Sequence, residues 1–191
     1  MRRRTFIQSG TAALSVVGFA LAGFPAMMSD TLAAESTSLL RQQINANVRE
    51  ALMRLYDVVN RSKELIAKAN GVLVFPEVLL DPFIVEEYGE GALHVGGKNA
   101  GYYSMTSGSI GLQNEKSKDI IFLFMTRDAL NSFRNSKGWS VGESVPLLKL
   151  DVDKEIHRRM VTAPVEAIVL TNSGVMGDVS VSGINVSRMK I

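Results

Sequence analysis

The fold is decided by the stretch LLRQQINANVREALMRLYDVVNRSKELIAKANGVLVFP, Leu39 to Pro76, because its hydrophobic pattern changes period once, at Asn70-Gly71. Before that point apolar residues recur at steps of three, four and seven, which predicts one amphipathic helix from Leu39 to Ala69. After that point the apolar run Val72-Leu73-Val74-Phe75 predicts a buried strand that ends at Pro76. The folded part of the chain therefore begins with a long helix and continues into a sheet.

Short β-rich runs, separated by glycine, occupy the chain from residue 71 onward. The continuous apolar run between Asp119 and Thr126 is typical of a central strand, and a short helix is predicted over Arg127–Ser136. No regular alternation of strand and helix occurs, which favours an α+β fold with a mostly antiparallel sheet, curled towards a barrel. Further strands are predicted at 92–95, 101–104, 139–145, 147–152, 167–171 and 179–186, with a hairpin turn at 96–99 and a turn joining the last two strands at 171–174.

The first 34 residues have the three parts of a signal peptide. Arg2-Arg3-Arg4 is the charged start, the apolar middle runs from Thr11 to Met28, and Leu32-Ala33-Ala34 is a small-residue exit. The segment Arg3-Arg4-Thr5-Phe6-Ile7 is similar to the twin-arginine signature, which exports folded proteins across a bacterial inner membrane. The prediction is a bacterial protein in the periplasm or otherwise exported. A retained membrane anchor is the alternative, because the apolar stretch is just long enough to span.

Cleavage is expected after Ala33 or Ala34, which divides the chain into a signal peptide, 1–34, and one domain, 35–191. That domain is expected to be helical over 35–70 and β-rich over 71–191. The capping residues Ser36-Thr37-Ser38 predict where its helix begins.

Composition and charge exclude several classes of function. The chain has no Cys and only two His, which excludes disulfides, thiolate chemistry and a metal site built from several histidines, and no cofactor is expected. Residues 1–34 hold three of the 21 basic and one of the 19 acidic residues, so 18 of each remain after cleavage. A domain without net charge has no extended basic field, and nucleic acid is therefore not an expected partner.

The polar face of the predicted helix carries a surplus of basic residues. Such a face suits anionic lipid headgroups, each basic residue near the surface contributing about 1 kcal/mol. The alternative is an ordinary solvated surface of a helix packed on a sheet. On the lipid hypothesis, the headgroup contacts are Arg49, Arg54, Arg61, Lys63 and Lys68.

One motif points to a serine esterase. Gly138-Trp139-Ser140-Val141-Gly142 fits the G-x-S-x-G nucleophile pattern, and Asp151 or Asp153 and then His157 follow in the order of α/β-hydrolases. That chemistry requires the serine on a strand-to-helix turn above a parallel sheet. Here a short helix precedes the motif and β-type residues follow it, which favours a structural turn around Trp139.

Most of the chain after residue 34 resembles the SYLF lipid-binding domain family. The resemblance rests on an ordered set of segments: Lys68-Ala69-Asn70-Gly71-Val72-Leu73-Val74-Phe75-Pro76, Tyr88-Gly89-Glu90-Gly91-Ala92-Leu93, Gly101-Tyr102-Tyr103-Ser104, Ser107-Gly108-Ser109-Ile110-Gly111-Leu112-Gln113, Phe122-Leu123-Phe124-Met125-Thr126, Gly138-Trp139-Ser140-Val141-Gly142 and Leu170-Thr171-Asn172-Ser173-Gly174-Val175-Met176-Gly177.

The resemblance implies a non-enzymatic domain. Eukaryotic relatives bind phosphoinositides with the help of an amphipathic N-terminal segment, and some bind actin, whereas bacterial relatives are exported envelope proteins described as lipid-binding. The expected function is therefore a lipid- or membrane-surface-binding module of the cell envelope, and the alternative is a scaffold for another envelope protein. The chain lacks the family's usual glycines at Phe83-Ile84-Val85-Glu86 and Glu115-Lys116-Ser117, where lipid specificity is expected to differ.

Overall fold

The computed structural model describes residues 27–81, 86–108, 117–142, 163–172, 174–176 and 181–191. The predicted strand at 147–152 lies outside these ranges, as do Phe83, Ile84, Val85, Glu115 and Lys116. The element order is α1 (Met27–Val58), α2 (Ser62–Lys68), β1 (Gly71–Asp81), β2 (Glu86–Val95), β3 (Lys98–Gly108), β4 (Ser117–Phe124), α3 (Arg127–Asn135), β5 (Trp139–Ser140), β6 (Val165–Thr171), β7 (Gly174–Met176) and β8 (Asn185–Arg188).

The strands form one antiparallel sheet in the order β5-β8-β3-β2-β1-β4-β6-β7, with α1 packed on β1 and β2. The predicted α+β class, with a long N-terminal helix on an antiparallel sheet, is confirmed. The sheet is not closed into a barrel, because its outer strands β5 and β7 do not pair with each other in the described ranges. The curling towards a barrel that the sequence suggested does not reach closure in the described ranges.

Both faces of the sheet are covered over β1, β4 and β6, which explains why these strands contain apolar runs without alternation. One face packs against α1 and α2 and the other against α3 and the segment around Trp139. In β4, every side chain from Ile120 to Phe124 is fully buried, so the predicted central strand is confirmed. The core between the sheet and the helices α1 and α2 consists mainly of Ile44, Val48, Ala51, Leu55, Leu65, Val72, Val74, Ala92, Ile121, Leu123, Ile168 and Leu170.

The helical part differs from the prediction at both ends of α1. The helix extends back to Met27, before the predicted start at Ser36-Thr37-Ser38. It ends at Val58, and Arg61 adopts a left-handed conformation, with φ of 64°, before α2 begins. The single helix predicted to Ala69 is therefore wrong, since the chain is broken at 59–61 into two helices.

The first strand also continues past its predicted end. β1 passes Pro76 with a register shift between Phe75 and Val78, and Glu77 takes a positive φ of 49° in this bulge. Its backbone N–H donates a hydrogen bond of 3.0 Å to Asp119 Oδ1 of β4. The proline is accommodated by a bulge, so it does not terminate the strand.

Two predicted turns have different outcomes. Gly96 and Gly97 form the two-residue connection between β2 and β3, with φ values of 58° and 76°, as a tight hairpin requires. This turn is confirmed. The turn after Thr171 leads instead to the short edge strand β7. The last strand, β8, pairs with β3 near the opposite edge of the sheet. The prediction that this turn joins β6 directly to the last strand is therefore wrong.

Candidate functional site

A cleft lies on each flank of α1. The larger, termed the Lys63 groove, has a volume of about 600 Å³ and is lined by Arg49, Leu52, Tyr56, Lys63, Ile66, Ala67, Ala69, Val72, His94, Gly96 and Gly97. The smaller, termed the Glu77 cleft, has a volume of about 320 Å³ and is lined by Leu40, Gln43, Ile44, Asn47, Pro76, Glu77, Leu79, Tyr88, Gly89, Glu90 and Ser117. The two clefts lie at opposite ends of β1 and β2.

Three elements contribute the apolar lining of the Lys63 groove. Leu52 comes from α1, Ile66 from α2, and Val72, which is 5% exposed, from the start of β1. Because the chain turns at Arg61, α2 packs beside the end of α1 and closes this side of the groove. The apolar part of the site is therefore built where two helices meet the sheet.

Two of the predicted headgroup residues lie at the rim of this groove. Arg49 and Lys63 are both exposed, and Lys63 Nζ lies 5.4 Å from the centroid of the Tyr56 ring. Neither residue forms an ion pair with another described residue, and no carboxylate from the described ranges lines the groove. The rim thus carries positive charge that the described part of the protein does not neutralise.

His94 also lines this groove. It is half-buried on β2, where it pairs with Val72 of β1 and Asn99 of β3. Burial lowers the pKa of His94 below its ordinary value of 6.5. At neutral pH the imidazole is therefore uncharged and offers one hydrogen-bond donor and one acceptor.

Polar contacts fix α1 beside the groove. Asn45 Nδ2 donates to the Tyr102 hydroxyl at 2.9 Å, and Asn45 Oδ1 accepts from Asn99 Nδ2 at 2.9 Å. Tyr102 and Asn99 both belong to β3, whose first residues follow the glycine turn. The helix, the turn and the rim are therefore held in one arrangement.

Arg54 has a different role from the one predicted. Its guanidinium binds both carboxylate oxygens of Asp119 at 3.0–3.2 Å and also contacts Glu50 at 3.1 Å. The side chain of Asp119 is only 5% exposed. Arg54 therefore neutralises a buried carboxylate and joins α1 to β4, which removes it from the set of candidate headgroup contacts.

The remaining two predicted contacts also lie away from the groove lining. Arg61 forms a 3.0 Å ion pair with Glu64, and Lys68 is exposed in the last turn of α2. The five cations do not share one face, because Arg49 and Arg54 lie about 140° apart around the α1 axis at 3.6 residues per turn. The prediction of a single basic face is thus wrong, and Arg49 and Lys63 are the pair that the fold brings to one cleft.

The Glu77 cleft has the opposite charge. Glu77 accepts a hydrogen bond from Asn47 at 3.1 Å, and Glu90 accepts one from the Tyr88 hydroxyl at 2.8 Å. Burial, together with this bond and the charge of Glu90, raises the pKa of Tyr88 to about 12. No lysine or arginine of the described part of the chain lines this cleft.

A buried ion pair lies at the same end of the sheet. Lys118 Nζ and Glu87 Oε1 are 2.8 Å apart, and their side chains are 1% and 0% exposed. Ser107 Oγ donates to the second carboxylate oxygen at 3.3 Å. Burial lowers the pKa of Lys118, and the bond to Glu87 opposes that shift.

Ser140 does not occupy a nucleophile turn. It lies on the edge strand β5, paired with β8, and its hydroxyl donates to Asn185 Oδ1 at 2.6 Å. The neighbouring Trp139 packs on Phe122, Phe124 and Phe133. The other members of the hypothetical triad, Asp151, Asp153 and His157, lie outside the described residues.

Sequence reasoning missed the residues that complete the groove, namely Tyr56, His94 and the aliphatic lining. Their assembly depends on the break at 59–61, for which the sequence offered one signal, the turn-forming types Asn60 and Ser62 on either side of Arg61. The predicted cleavage residues Ala33 and Ala34 lie within α1, and the first buried α1 side chain in the described range is Ile44, ten residues later.

No protein-family model matches this chain, and no curated protein is significantly similar to it. In the described ranges, no three His, Asp or Glu side chains are grouped closely enough to ligate a metal ion. No described helix combines the length and the apolar character needed to cross a membrane.

Proposed function

We propose that this protein binds the anionic headgroups of lipids at a membrane surface through the rim of the Lys63 groove. The observation that carries the proposal is a cleft in which Arg49 and Lys63, which form no ion pair with a described residue, lie with aliphatic side chains, and which no described carboxylate lines. Cations near an anionic surface each contribute about 1 kcal/mol, and the neighbouring apolar lining suits the boundary between headgroups and acyl chains. The resemblance to the SYLF family points in the same direction.

The proposal includes export from the cytoplasm of a bacterium. It is supported by the twin-arginine-like start and by the position of Ala33-Ala34 in α1, ahead of every buried α1 side chain in the described range. Cleavage there would shorten the helix without removing a described core contact. Lys68, exposed at the end of α2, is then a further candidate for contact with the surface.

Co-sedimentation with vesicles tests the proposal. The full chain is mixed with vesicles of phosphatidylcholine alone or with added phosphatidylglycerol, and the bound fraction is measured at low and at physiological salt. We expect binding to the anionic vesicles that weakens with salt. In the double variant R49Q/K63Q the affinity should fall about thirtyfold, since two contacts of about 1 kcal/mol each are lost.

A matched control separates the groove from the total charge. Arg134 and Lys137 are exposed near the end of α3, on the opposite side of the sheet from α1. R134Q/K137Q removes the same charge but should bind as the unaltered chain does. Because residues 1–34 are identical in all variants, a difference between the two doubles comes from the groove. Equal affinities in the two doubles, or no binding by the unaltered chain, would refute the proposal.

A further inference from the structure

The Lys63 groove has an apolar lining that contact with headgroups does not require. A surface that binds anionic headgroups needs only exposed cations. Here the groove has a volume of about 600 Å³, within the 300–1,000 Å³ typical of small-molecule sites. Besides Arg49 and Lys63, the lining includes the aliphatic residues Leu52, Ile66 and Val72 from three different elements.

The charged and the apolar residues of the groove each indicate the chemistry of one end of a ligand. Arg49 on α1 and Lys63 on α2 attract an anion at the mouth, while His94 is uncharged at neutral pH and can only donate or accept a hydrogen bond. Hydrocarbon is the chemistry that the aliphatic lining accepts, because among the described residues no carboxylate and no further charged side chain lines the groove. A ligand that satisfies both ends has a small acidic head and an apolar tail.

The entrance is left open by the hairpin between β2 and β3. Gly96 and Gly97 have positive φ, and a Cβ atom added to either would meet no heavy atom within 4 Å. At this turn only backbone atoms line the groove, and the space next to them is free of heavy atoms from other described residues. A chain of methylene groups can enter there without displacing a side chain.

We infer that the Lys63 groove takes up one hydrocarbon chain of a monomeric amphiphile whose acidic head, a carboxylate or a phosphate, is bound by Arg49 and Lys63. This inference rests on the proposed function for the role of the two cations, and it adds that the ligand leaves the bilayer or solution as a single molecule. The expected stoichiometry is one amphiphile per chain.

The test is a fluorescence titration of the full chain with 11-(dansylamino)undecanoic acid below its critical micelle concentration. We expect saturable binding of one probe per chain. Palmitate tests the carboxylate source and lysophosphatidic acid the phosphate source, and displacement of the probe by at least one of them is expected. Dodecanol, which has no charge, and inorganic phosphate, which has no tail, should each fail to displace it.

Variants that obstruct the groove make the test specific. Ala67 lines the groove but is exposed on α2, so Ala67→Trp fills space without entering the buried core. It should weaken probe binding at least tenfold, and Ala67→Leu should weaken it less. Asn131→Trp, on the exposed side of α3, places the same side chain on a helix elsewhere and should have no effect. Thermal melts of the three variants establish that each is folded.

The outcomes separate this inference from the proposed function. Binding to anionic vesicles without saturable probe binding would overturn the inference and leave the proposed function standing. Probe binding that Ala67→Trp does not weaken would place the probe elsewhere and also overturn it. Loss of probe binding in folded Ala67→Trp, with Asn131→Trp unaffected, supports it. Displacement by dodecanol as strong as that by palmitate would contradict the role of the acidic head.

Discussion

The two clefts beside α1 are built from the same kinds of element but differ in what their charges do. At the Glu77 cleft and its end of the sheet, Arg54 and Lys118 are cations that bind buried carboxylates. At the Lys63 groove, Arg49 and Lys63 have no carboxylate partner in the described part of the chain. At the Glu77 end of the sheet the cations therefore stabilise the fold, whereas at the Lys63 groove the cations are available to a ligand.

The difference shows that the number of cations on a helix says little about binding. A cation that neutralises a buried carboxylate is costly to remove, because the carboxylate is then left uncompensated. An exposed cation without a partner contributes little to stability and is available to another molecule. The comparison thus predicts that stability and binding depend on different residues of one helix and one sheet.

The largest effect is expected from the buried pair near the Glu77 cleft. Lys118→Met leaves the Glu87 carboxylate buried without its ammonium partner, and breaking such a pair costs about 3–5 kcal/mol. The free energy of unfolding, measured by urea titration, should fall by that amount. The double variant K118M/E87L should recover most of the loss, since it removes both charges of the pair. A single variant as stable as the unaltered chain would show that this end of the sheet does not depend on the pair.

A pair of matched substitutions five residues apart on α1 sharpens the comparison. Arg54→Met should cost about 2 kcal/mol of stability, less than for a fully buried pair because the Arg54 side chain is 35% exposed to solvent. Arg49→Met should change stability by no more than about 0.5 kcal/mol. Urea titration of the two variants gives both values.

The same two variants should show the opposite order in vesicle binding. Arg49→Met should weaken binding to anionic vesicles about fivefold, corresponding to about 1 kcal/mol, while Arg54→Met should leave it unchanged where the variant is folded. Co-sedimentation measures both. If Arg54→Met weakened binding as much as Arg49→Met, the division between a structural and a ligand-binding cation would be wrong.

The α+β class could be predicted from the sequence because the signals that decide it are local. The step from a helical period to an apolar run at Asn70-Gly71, the apolar run of β4 and the glycines at 96–97 each specify one element through their own neighbours. The bulge at Pro76-Glu77 was missed because it depends on a bond from the Glu77 N–H to Asp119, 42 residues away.

The candidate site was predicted only in part for the same reason. Helical periodicity identified Arg49 and Lys63 but could not distinguish them from Arg54, whose partner Asp119 lies 65 residues along the chain. His94 joins the groove only through the pairing of β2 with β1 and the packing of the helices on them. Whether a cation is paired is a property of the tertiary fold, and a single sequence does not contain it.

The smallest effect concerns His94. Its pKa is lowered in the folded protein by burial, so the unfolded chain takes up the proton first as the pH falls below about 6.5. Above pH 6.5 the imidazole is neutral in both states and its burial does not reduce the free energy of unfolding. As the pH falls from the ordinary pKa of His94 to its lowered pKa in the folded protein, the free energy of unfolding decreases. In His94→Gln this loss should be absent, so urea titrations at pH 7 and pH 5 should show a smaller fall in the free energy of unfolding than in the unaltered chain.

Ligand binding gives the same residue an effect of opposite sign. An anion at Arg49 and Lys63 favours the protonated imidazole beside them, so binding to anionic vesicles should strengthen from pH 7 to pH 5. His94→Gln should reduce that increase, which co-sedimentation at the two pH values measures. Among its described lining residues the Glu77 cleft has no histidine, so no described imidazole there responds in this way. If the variant and the unaltered chain gained affinity equally, His94 would not sense the ligand, and the increase would have to come from titrating groups outside the groove.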